Sequence, residues 1–213
     1  MKLFEYEAKE IVRKYGLSVP DGVLITNAEQ ISSSIADLKA PLVLKAQILA
    51  ADRMKAGGVL FASSKDEAEA LSKRLLEIRI HRELVSRILI EEKVTAINEL
   101  YVGISVDREN RCYLLLVSRY GGSGIEEVAA RDPSKIIRRS IDPLSGLSQN
   151  DAETIGRLLG YTEDRLWKLS LVLVRLYEIV TNYDAELVEV NPLIETAAGQ
   201  YVCLLYTSDA ADE

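Results

Sequence analysis

The sequence predicts an α+β fold, and three observations support that prediction. Residues 22–92 alternate strand-like and helix-like segments in the order β-α-β-β-α-β, which is typical of a compact α+β unit. Residues 99–118 contain two apolar strands joined by a polar turn. Residues 164–182 are apolar on nearly every side, as expected of a buried helix. At 213 residues, the chain is long enough for one or two domains with a sizeable core.

The elements of the first part follow from helical spacing, caps and apolar runs. Residues 4–15 carry apolar side chains at helical spacing, and Gly16 is placed to cap that helix. Asn27 is followed three residues later by a glutamine and Ser64 by a glutamate, which predicts helices from Asn27 to about Leu38 and from Ser64 onward. Apolar runs predict strands at 23–25, 42–46, 59–62 and 86–92.

The second part of the chain is divided by polar turns and glycines. Its predicted strands are 99–106 and 112–118, its predicted helices are 151–159 and 164–182, and a hairpin is predicted from 186–190 and 200–204. Residues 121–124 are glycine-rich and predict a loop. Residues 205–213 become small and acidic with no further element predicted, so we expect them to be a non-native tail.

Composition and charge limit the classes of function. The net charge of −7 and the pI near 5.0 argue against nucleic acid or an anionic membrane as the main partner. The amino terminus is charged, and no apolar run approaches the ~18 residues that could span a bilayer. The two cysteines, Cys112 and Cys203, lie in apolar runs and are expected to be buried thiols. Together these features predict a cytoplasmic protein.

The single histidine, His81, lies in a charged connector and is expected at the surface. One histidine excludes a metal site built from several histidines, and no Ser-His-Asp arrangement is evident. If the chemistry needs a catalytic histidine, we expect another chain to supply it.

The run 186–192 predicts oxygen ligands at the end of a strand. Glu189 and Asn191 are two residues apart, so their side chains share one face of an extended strand, and Pro192 is expected to stop the ladder. Carboxylate and amide oxygens suit Mg²⁺, which is usually held by one or two side chains and shares its shell with phosphate. The alternative is an ordinary strand end with an asparagine turn.

The run 45–59 predicts a phosphate-binding loop between two strands. It contains Lys45, Arg53 and Lys55 with the pair Gly57–Gly58. Glycines let backbone N–H groups approach an anion, and cations neutralise it. The run differs from the P-loop and dinucleotide motifs, and a solvated basic hairpin is the alternative. Polyphosphate together with Mg²⁺ explains both segments.

Four segments, taken together, indicate a family. They are Leu3–Glu10 with Tyr15–Pro20, Lys45–Gln47 with Lys55–Gly58, Ile90–Glu91 with Glu99–Gly103 and Val106–Arg108, and Glu189–Leu193. With them the chain resembles, from about residue 1 to residue 204, the N-terminal ATP-grasp half of the β subunits of succinyl-CoA synthetases (succinate–CoA ligases). The resemblance implies an ATP-grasp fold whose two β-rich lobes hold a nucleotide between them. The lobes would be residues 21–94, and residues 1–20 plus 95–204.

The resemblance also implies a set of site residues. It implies that Lys45 contacts phosphate and that Asp52, Arg53 and Met54 form the loop over the phosphates. It implies that Glu91 and the backbone of Val94 face the adenine side. It also implies that Glu99 accepts hydrogen bonds from the ribose hydroxyls and that Asn191 binds Mg²⁺. The residue types suit these roles, because lysine is a point charge for phosphate and side-chain oxygens suit Mg²⁺. The alternatives are an edge-strand lysine at Lys45, a solvated acid at Glu91 and an ion-pair partner at Glu99.

Three segments of the sequence depart from the family pattern. The family has Gly-Arg-Gly where this chain has Asp52–Met54, Glu-Gly-Gly where it has Tyr120–Gly122, and a second metal-binding aspartate where it has Leu205. A carboxylate at residue 52 would repel phosphate, and the two lost glycines remove backbone freedom. The family's C-terminal domain, which contacts the partner subunit, lies outside this sequence.

The function implied by the resemblance is phosphoryl transfer coupled to thioester chemistry. ATP or GTP with Mg²⁺ would phosphorylate a histidine of an α subunit, the phosphate would pass to succinate, and CoA would displace it. The implied partner is that α subunit, in a heterodimer or heterotetramer. The alternatives are the β subunit of another ADP-forming acyl-CoA ligase, acting on acetate or malate, and a truncated, non-catalytic nucleotide-binding module. A stand-alone small-molecule kinase is weaker, because no general base stands out in the sequence.

Overall fold

The computed structural model describes residues 2–49, 53–122, 125–204 and 206–210. It divides into two compact units, the first formed by Met1–Val19 and Thr95–Glu213 and the second by Pro20–Val94. Each unit contains helices and an antiparallel sheet around its own apolar core, so the α+β class predicted from the sequence is confirmed.

The second unit is a four-stranded antiparallel sheet with helices on one face. Its elements are β1 (Gly22–Ile25), α2 (Ile31–Ser34), β2 (Leu42–Ala46), β3 (Val59–Ala62), α3 (Lys65–Leu75), β4 (Arg79–Ile80), β5 (Glu83–Leu84) and β6 (Ile88–Glu92). The strand order is β1-β6-β2-β3. Leu42, Leu44 and Ala46 point to the helical core, since alternate residues of a strand share a face. The residues between them, including Lys45, therefore face the opposite side of the sheet.

The two helices of this unit differ in how well their start signals predict them. Ser64 accepts a hydrogen bond from the Glu67 N–H at 3.2 Å, and α3 follows as predicted. Asn27 accepts from Glu29, but only a 3₁₀ turn and the short α2 follow, so the predicted helix to Leu38 is wrong in its length. The serines at 32–34 compete with the helix, since Ser33 Oγ bonds to the carbonyl of Gln30.

A short hairpin replaces the connector predicted around His81. Strands β4 and β5 pair across a two-residue turn in which His81 and Arg82 have φ of 50° and 72°. His81 is exposed, in agreement with its predicted surface position.

The first unit is a larger sheet packed against a long helix. Its elements are α1 (Glu5–Lys14), β7 (Asn98–Asp107), β8 (Cys112–Ser118), α4 (Ile125–Arg131), β9 (Ile136–Ile141), α5 (Gln149–Leu158), α6 (Glu163–Asn182), β10 (Ala185–Glu195), β11 (Tyr201–Cys203) and β12 (Tyr206–Ala210). The order is β11-β10-β7-β8-β9, and β12 also pairs with β10. Helix α6 buries Leu169, Leu173 and Leu176 completely, so the predicted core helix is confirmed.

The end of α1 shows why its sequence stops a helix. Gly16 has φ +74°, and its N–H donates to Arg13 while the Leu17 N–H donates to Val12. This pair of bonds caps the last carbonyls with a glycine in the left-handed region. The predicted cap at Gly16 is confirmed.

In this unit one strand was missed by the sequence analysis and two predictions are wrong. Strand β9 was not predicted, because adjacent Arg138 and Arg139 break the apolar alternation; an edge strand tolerates such charges. Pro192 does not stop β10, which continues to Glu195 after a register irregularity between Val190 and Leu193. Strand β12 pairs with β10 where no further element was predicted. That residues 205–213 are non-native stays a prediction.

Of the two cysteines, only one is buried. Cys203 is buried in the core, as predicted, but Cys112 begins β8 and is partly exposed. Burial raises the pKa of the Cys203 thiol to about 12, although the charge of Lys9 opposes the shift. No helix in the described ranges is both long and apolar enough to cross a membrane.

Candidate functional site

In the second unit, the sheet face opposite the helices carries a buried ion pair. Lys45 Nζ lies 2.8 Å from Glu91 Oε2, and the two side chains are 6% and 1% exposed. The pair forms because Val43 on β2 is directly opposite Glu91 on β6, and Lys45 is two residues further along β2 on the same face. Since β2 lies inside the sheet, an edge-strand lysine is excluded at this position, and Glu91 is not a solvated acid.

A glycine makes room for this ion pair on the neighbouring strand. Gly22 on β1 is directly opposite Glu91, and a Cβ at Gly22 would lie 2.7 Å from Glu91 Cγ and 2.6 Å from the carbonyl oxygen of Ile90. Any larger residue would therefore displace the glutamate. Gln47, also buried, donates from Nε2 to the carbonyl of Lys45 at 3.0 Å. The hydrogen bond from Gln47, which directly follows β2, and the space left by Gly22 on β1 therefore define the surroundings of Lys45 and Glu91.

The loop that follows β2 folds back on that strand. Arg53 Nη1 donates to the carbonyl of Ala46 at 3.0 Å, and the Gly58 N–H donates to the carbonyl of Arg53 at 2.8 Å. Met54 is 61% exposed. Asp52 lies outside the described residues. Val94 is the last residue of the second unit, where the chain passes to the first.

In the first unit, two predicted site residues meet at a pair of glycines. The Gly122 N–H donates to Asn191 Oδ1 at 2.6 Å, and the Gly121 N–H donates to the carbonyl of Glu99 at 2.8 Å. A Cβ at Gly122 would lie only 3.0 Å from Glu99 Oε2, so the Glu99 carboxylate is beside the same loop. Gly122 has φ +77°, which favours glycine. Strands β7 and β10 and the loop after β8 thereby bring Glu99 and Asn191 together.

A tyrosine and a second carboxylate lie on the same two strands. The Tyr101 hydroxyl donates to Glu189 Oε2 at 3.5 Å, across the β7–β10 pairing. Its ring reaches that position by crossing Gly103, where a Cβ would lie 2.6 Å from the tyrosine oxygen. Burial, together with the Glu189 charge, raises the pKa of Tyr101 to about 12, so this hydroxyl remains a donor at neutral pH.

The side-chain oxygens on β7 and β10 are of the types that bind Mg²⁺. The Asn191 amide oxygen uses one lone pair for Gly122 and has a second, and the carboxylates of Glu99 and Glu189 belong to the same pair of strands. No cluster of three His, Cys, Asp or Glu side chains among the described residues could hold a metal alone. A hard cation that takes one or two protein oxygens and completes its shell with water and phosphate matches this arrangement.

The predicted site residues therefore form two groups, one on each unit. Lys45 and Glu91 touch within the second unit, where Arg53 bonds to the strand beside them. Glu99 and Asn191 both lie beside Gly122 in the first unit. Sequence reasoning missed Tyr101 and the contact of Gly122 with Asn191, which joins residues 69 positions apart. The only signal in the sequence was the glycine pair itself.

Comparison with known proteins gives consistent matches. The profile of the ATP-grasp domain family matches residues 2–195. The succinate–CoA ligase [ADP-forming] subunit beta of Desulfurococcus amylolyticus is 42% identical over 205 residues, which are 96% of this chain and 54% of that protein. The subunit of the same name from Pyrobaculum aerophilum is 40% identical over 206 residues, again 96% of this chain and 54% of the relative. The chain thus spans about half the length of the curated relatives it matches.

One solved structure extends the comparison to the fold. It is the dinucleotide-forming acetyl-coenzyme A synthetase 1 of Ca. Korarchaeum cryptofilum in complex with coenzyme A, Ca-AMPCP and HgCl⁺. The TM-score is 0.78 at 20% identity, and the match covers 99% of this chain and 93% of that one. At this identity the likeness shows the fold alone.

Proposed function

Because the chain belongs to the ATP-grasp domain family, we propose that it is the nucleotide-binding portion of the β subunit of an ADP-forming succinate–CoA ligase. The likeness to β subunits of that name, 42% identity over 205 residues, carries the proposal. The complete reaction would need succinate, CoA and an α subunit that supplies the phosphorylated histidine. Phosphoryl transfer needs positioning and charge neutralisation more than covalent help, so this chain's share is to hold the nucleotide.

The second unit would hold the phosphates and the base. Lys45 would contact phosphate as a point charge, and the loop of Asp52, Arg53 and Met54 would lie over the phosphates. Glu91 and the backbone of Val94 would face the adenine. The position of Lys45 inside the sheet, fixed beside Glu91, supports this assignment, because a rigid strand positions a charged group better than a loop does.

The first unit would hold the ribose and the metal. Glu99 would accept hydrogen bonds from ribose hydroxyls, and Asn191 would contribute its amide oxygen to Mg²⁺. The ion, when bound, would neutralise phosphate charge. The glycine loop supports both assignments, since the backbone of Gly121–Gly122 orients the Asn191 side chain and the Glu99 main chain.

A second candidate is a nucleotide-binding module without catalytic activity. The residues Asp52 and Met54 favour it, since they replace the two glycines that the resemblance implies at these positions, and Leu205 replaces the second metal ligand. A β subunit of another ADP-forming acyl-CoA ligase, acting on acetate or malate, is the nearest enzymatic alternative.

Calorimetric titration of the purified chain with ATP, GTP and ADP, each with and without Mg²⁺, tests the proposal. Saturable binding strengthened by Mg²⁺ supports the site and identifies the base preference. Adding an α subunit and following phosphate transfer to its histidine then separates the ligase from the non-catalytic module. A well-folded chain that binds none of the three nucleotides would refute the proposal.

A further inference from the structure

A fully buried carboxylate lies at the end of the strand that carries Asn191. Glu195 is 0% exposed, and its Oε2 accepts from Asn98 Nδ2 at 2.7 Å and from the Tyr161 hydroxyl at 2.9 Å. Its Oε1 forms an ion pair with Arg165 Nη1 at 2.8 Å. A buried charge is costly unless it is paired and hydrogen-bonded, and here both of its oxygens have charged or polar neighbours. The carboxylate thereby connects β10 with Asn98, Tyr161 and Arg165.

One partner of Glu195, Asn98, belongs to a strand that carries the candidate site. Asn98 begins β7, immediately before Glu99, and is directly opposite Glu195 in the β7–β10 register. The Ile97 N–H donates to the Glu195 carbonyl at 2.8 Å. The carboxylate therefore ties the end of β10 to the start of β7 through both side chain and backbone.

Tyr161 links the same carboxylate to the glycine loop. The Arg119 guanidinium lies over the Tyr161 ring, 5.3 Å from its centroid, and Arg119 Nη1 donates to the Leu159 carbonyl at 3.2 Å. Arg119 follows β8 and stands just before Gly121–Gly122. Burial and the neighbouring Glu195 raise the pKa of Tyr161, so its hydroxyl remains the donor.

The pairing of β10 with β7 is irregular around Asn191, so contacts outside the strand pairing are needed to position that residue. The β7–β10 register is irregular between Val190 and Leu193, so the ladder itself does not fix Asn191. We infer that Tyr161 and Glu195 are positioning residues that hold Asn191, Glu99 and Gly122 in one arrangement. The test of this inference by nucleotide binding rests on the proposed function, whereas its test by hydrogen exchange does not.

Tyr161→Phe is the sharpest variant, because it removes one hydroxyl and keeps the ring under Arg119. Tyr15→Phe is the matched control. Its hydroxyl accepts from Asn182 Nδ2 at 2.9 Å in the same unit, at the end of α6 and away from the β7–β10 pairing. Both variants lose one tyrosine hydrogen bond, but that of Tyr161 is buried and that of Tyr15 is exposed. Urea unfolding of both variants therefore accompanies the test and separates a global loss of stability from a local effect at the glycine loop.

The first readout is amide hydrogen exchange at Gly121 and Gly122 in the protein without nucleotide. We expect Tyr161→Phe to accelerate exchange at both amides about fivefold, the factor for one lost hydrogen bond, and Tyr15→Phe to leave them unchanged. Equal acceleration in the two variants, or none in Tyr161→Phe, would overturn the inference.

The second readout is the ratio of ATP affinities with and without Mg²⁺. We expect Tyr161→Phe to reduce the gain from Mg²⁺ about fivefold while affinity without Mg²⁺ changes little, and Tyr15→Phe to keep the wild-type ratio. An unchanged ratio in Tyr161→Phe would refute the positioning role at the metal. If the wild-type chain binds no nucleotide, the proposed function fails, and hydrogen exchange alone then decides whether Tyr161 positions the loop.

Discussion

Lys45 and Glu91 show how a residue proposed to bind the nucleotide can also be a structural one. Their charges are 2.8 Å apart and almost fully buried, so each side chain stabilises the other. Removing one member of a buried pair costs far more than replacing both with apolar residues. The two effects of changing Lys45, on binding and on stability, must therefore be separated.

Lys45→Ala is expected to abolish measurable nucleotide binding and to lower the free energy of unfolding by about 3 kcal/mol, because the buried Glu91 carboxylate then loses its lysine partner. The double variant Lys45→Met with Glu91→Leu should recover most of that stability without recovering binding. Urea unfolding and calorimetry measure the two quantities. Full nucleotide affinity in the stable double variant would remove Lys45 from the site.

The two thiols should differ sharply in reactivity. Burial, which raises the Cys203 pKa to about 12, keeps that thiol protonated and inaccessible at pH 8, whereas Cys112 is partly exposed. A thiol-specific reagent is expected to modify one equivalent in the folded protein and two after unfolding. Cys112→Ser should remove the reaction of the folded protein; a persistent reaction would place Cys203 at the surface.

At the scale of elements, the loop after β2 is the clearest case in which sequence changes should alter binding. Asp52 adds a negative charge where phosphates are proposed to lie, and two residues with side chains replace glycines. Asp52→Gly together with Met54→Gly is expected to tighten ATP binding about tenfold, since a charge repulsion is removed and backbone N–H groups can approach.

Calorimetry of wild type and the double-glycine variant measures this gain. Met54→Gly alone is the control, because it changes backbone freedom without changing charge, and it should give only part of the effect. Unchanged affinity in the double variant would mean that phosphates do not pass beneath this loop.

Elements with strong local signals were predicted well. The long apolar run of α6, the Ser64 cap of α3 and the Gly16 cap of α1 are encoded within a few residues, and all three are confirmed. The course of β10 beyond Pro192 depends instead on its pairing with β7, a contact that no local pattern encodes. The arginine pair in β9 likewise is tolerated only because that strand lies at an edge.

The same distinction applies to the candidate site. Residue types and spacing around Lys45 and Asn191 predicted anion and oxygen-ligand chemistry, and the family match confirms the ATP-grasp fold. The burial of Glu91 and the meeting of Asn191 with Gly122 arise from strand order and long-range pairing. Whether these residues bind nucleotide stays a prediction.

At the scale of the whole molecule, the alkaline limit of stability should be set by the first unit. Burial raises the pKa values of Tyr101, to about 12, and of Tyr161, Tyr177 and Tyr201. A group whose pKa is higher in the folded state than in the unfolded state binds its proton more tightly when folded. Its contribution to stability is complete at pH values below the pKa of the unfolded state, ~10, and is lost as the pH rises through the pKa of the folded state.

The free energy of unfolding is therefore expected to fall between about pH 10 and pH 12. Urea unfolding followed by far-ultraviolet circular dichroism at several pH values measures the slope. Tyr101→Phe should make the slope shallower, because one titrating group is removed, and Tyr183→Phe, at an exposed ring, is the control. Identical slopes in wild type and Tyr101→Phe would contradict the burial of this hydroxyl.

The division into two units also has an optical consequence. All ten tyrosines and the single tryptophan, Trp167, occur outside residues 20–94, so the second unit contributes neither. Intrinsic tyrosine and tryptophan fluorescence therefore arises from the first unit alone. Phe61, 56% exposed and on the same face of the sheet as Lys45, offers a remedy. A Phe61→Trp variant would give the second unit its own emission signal.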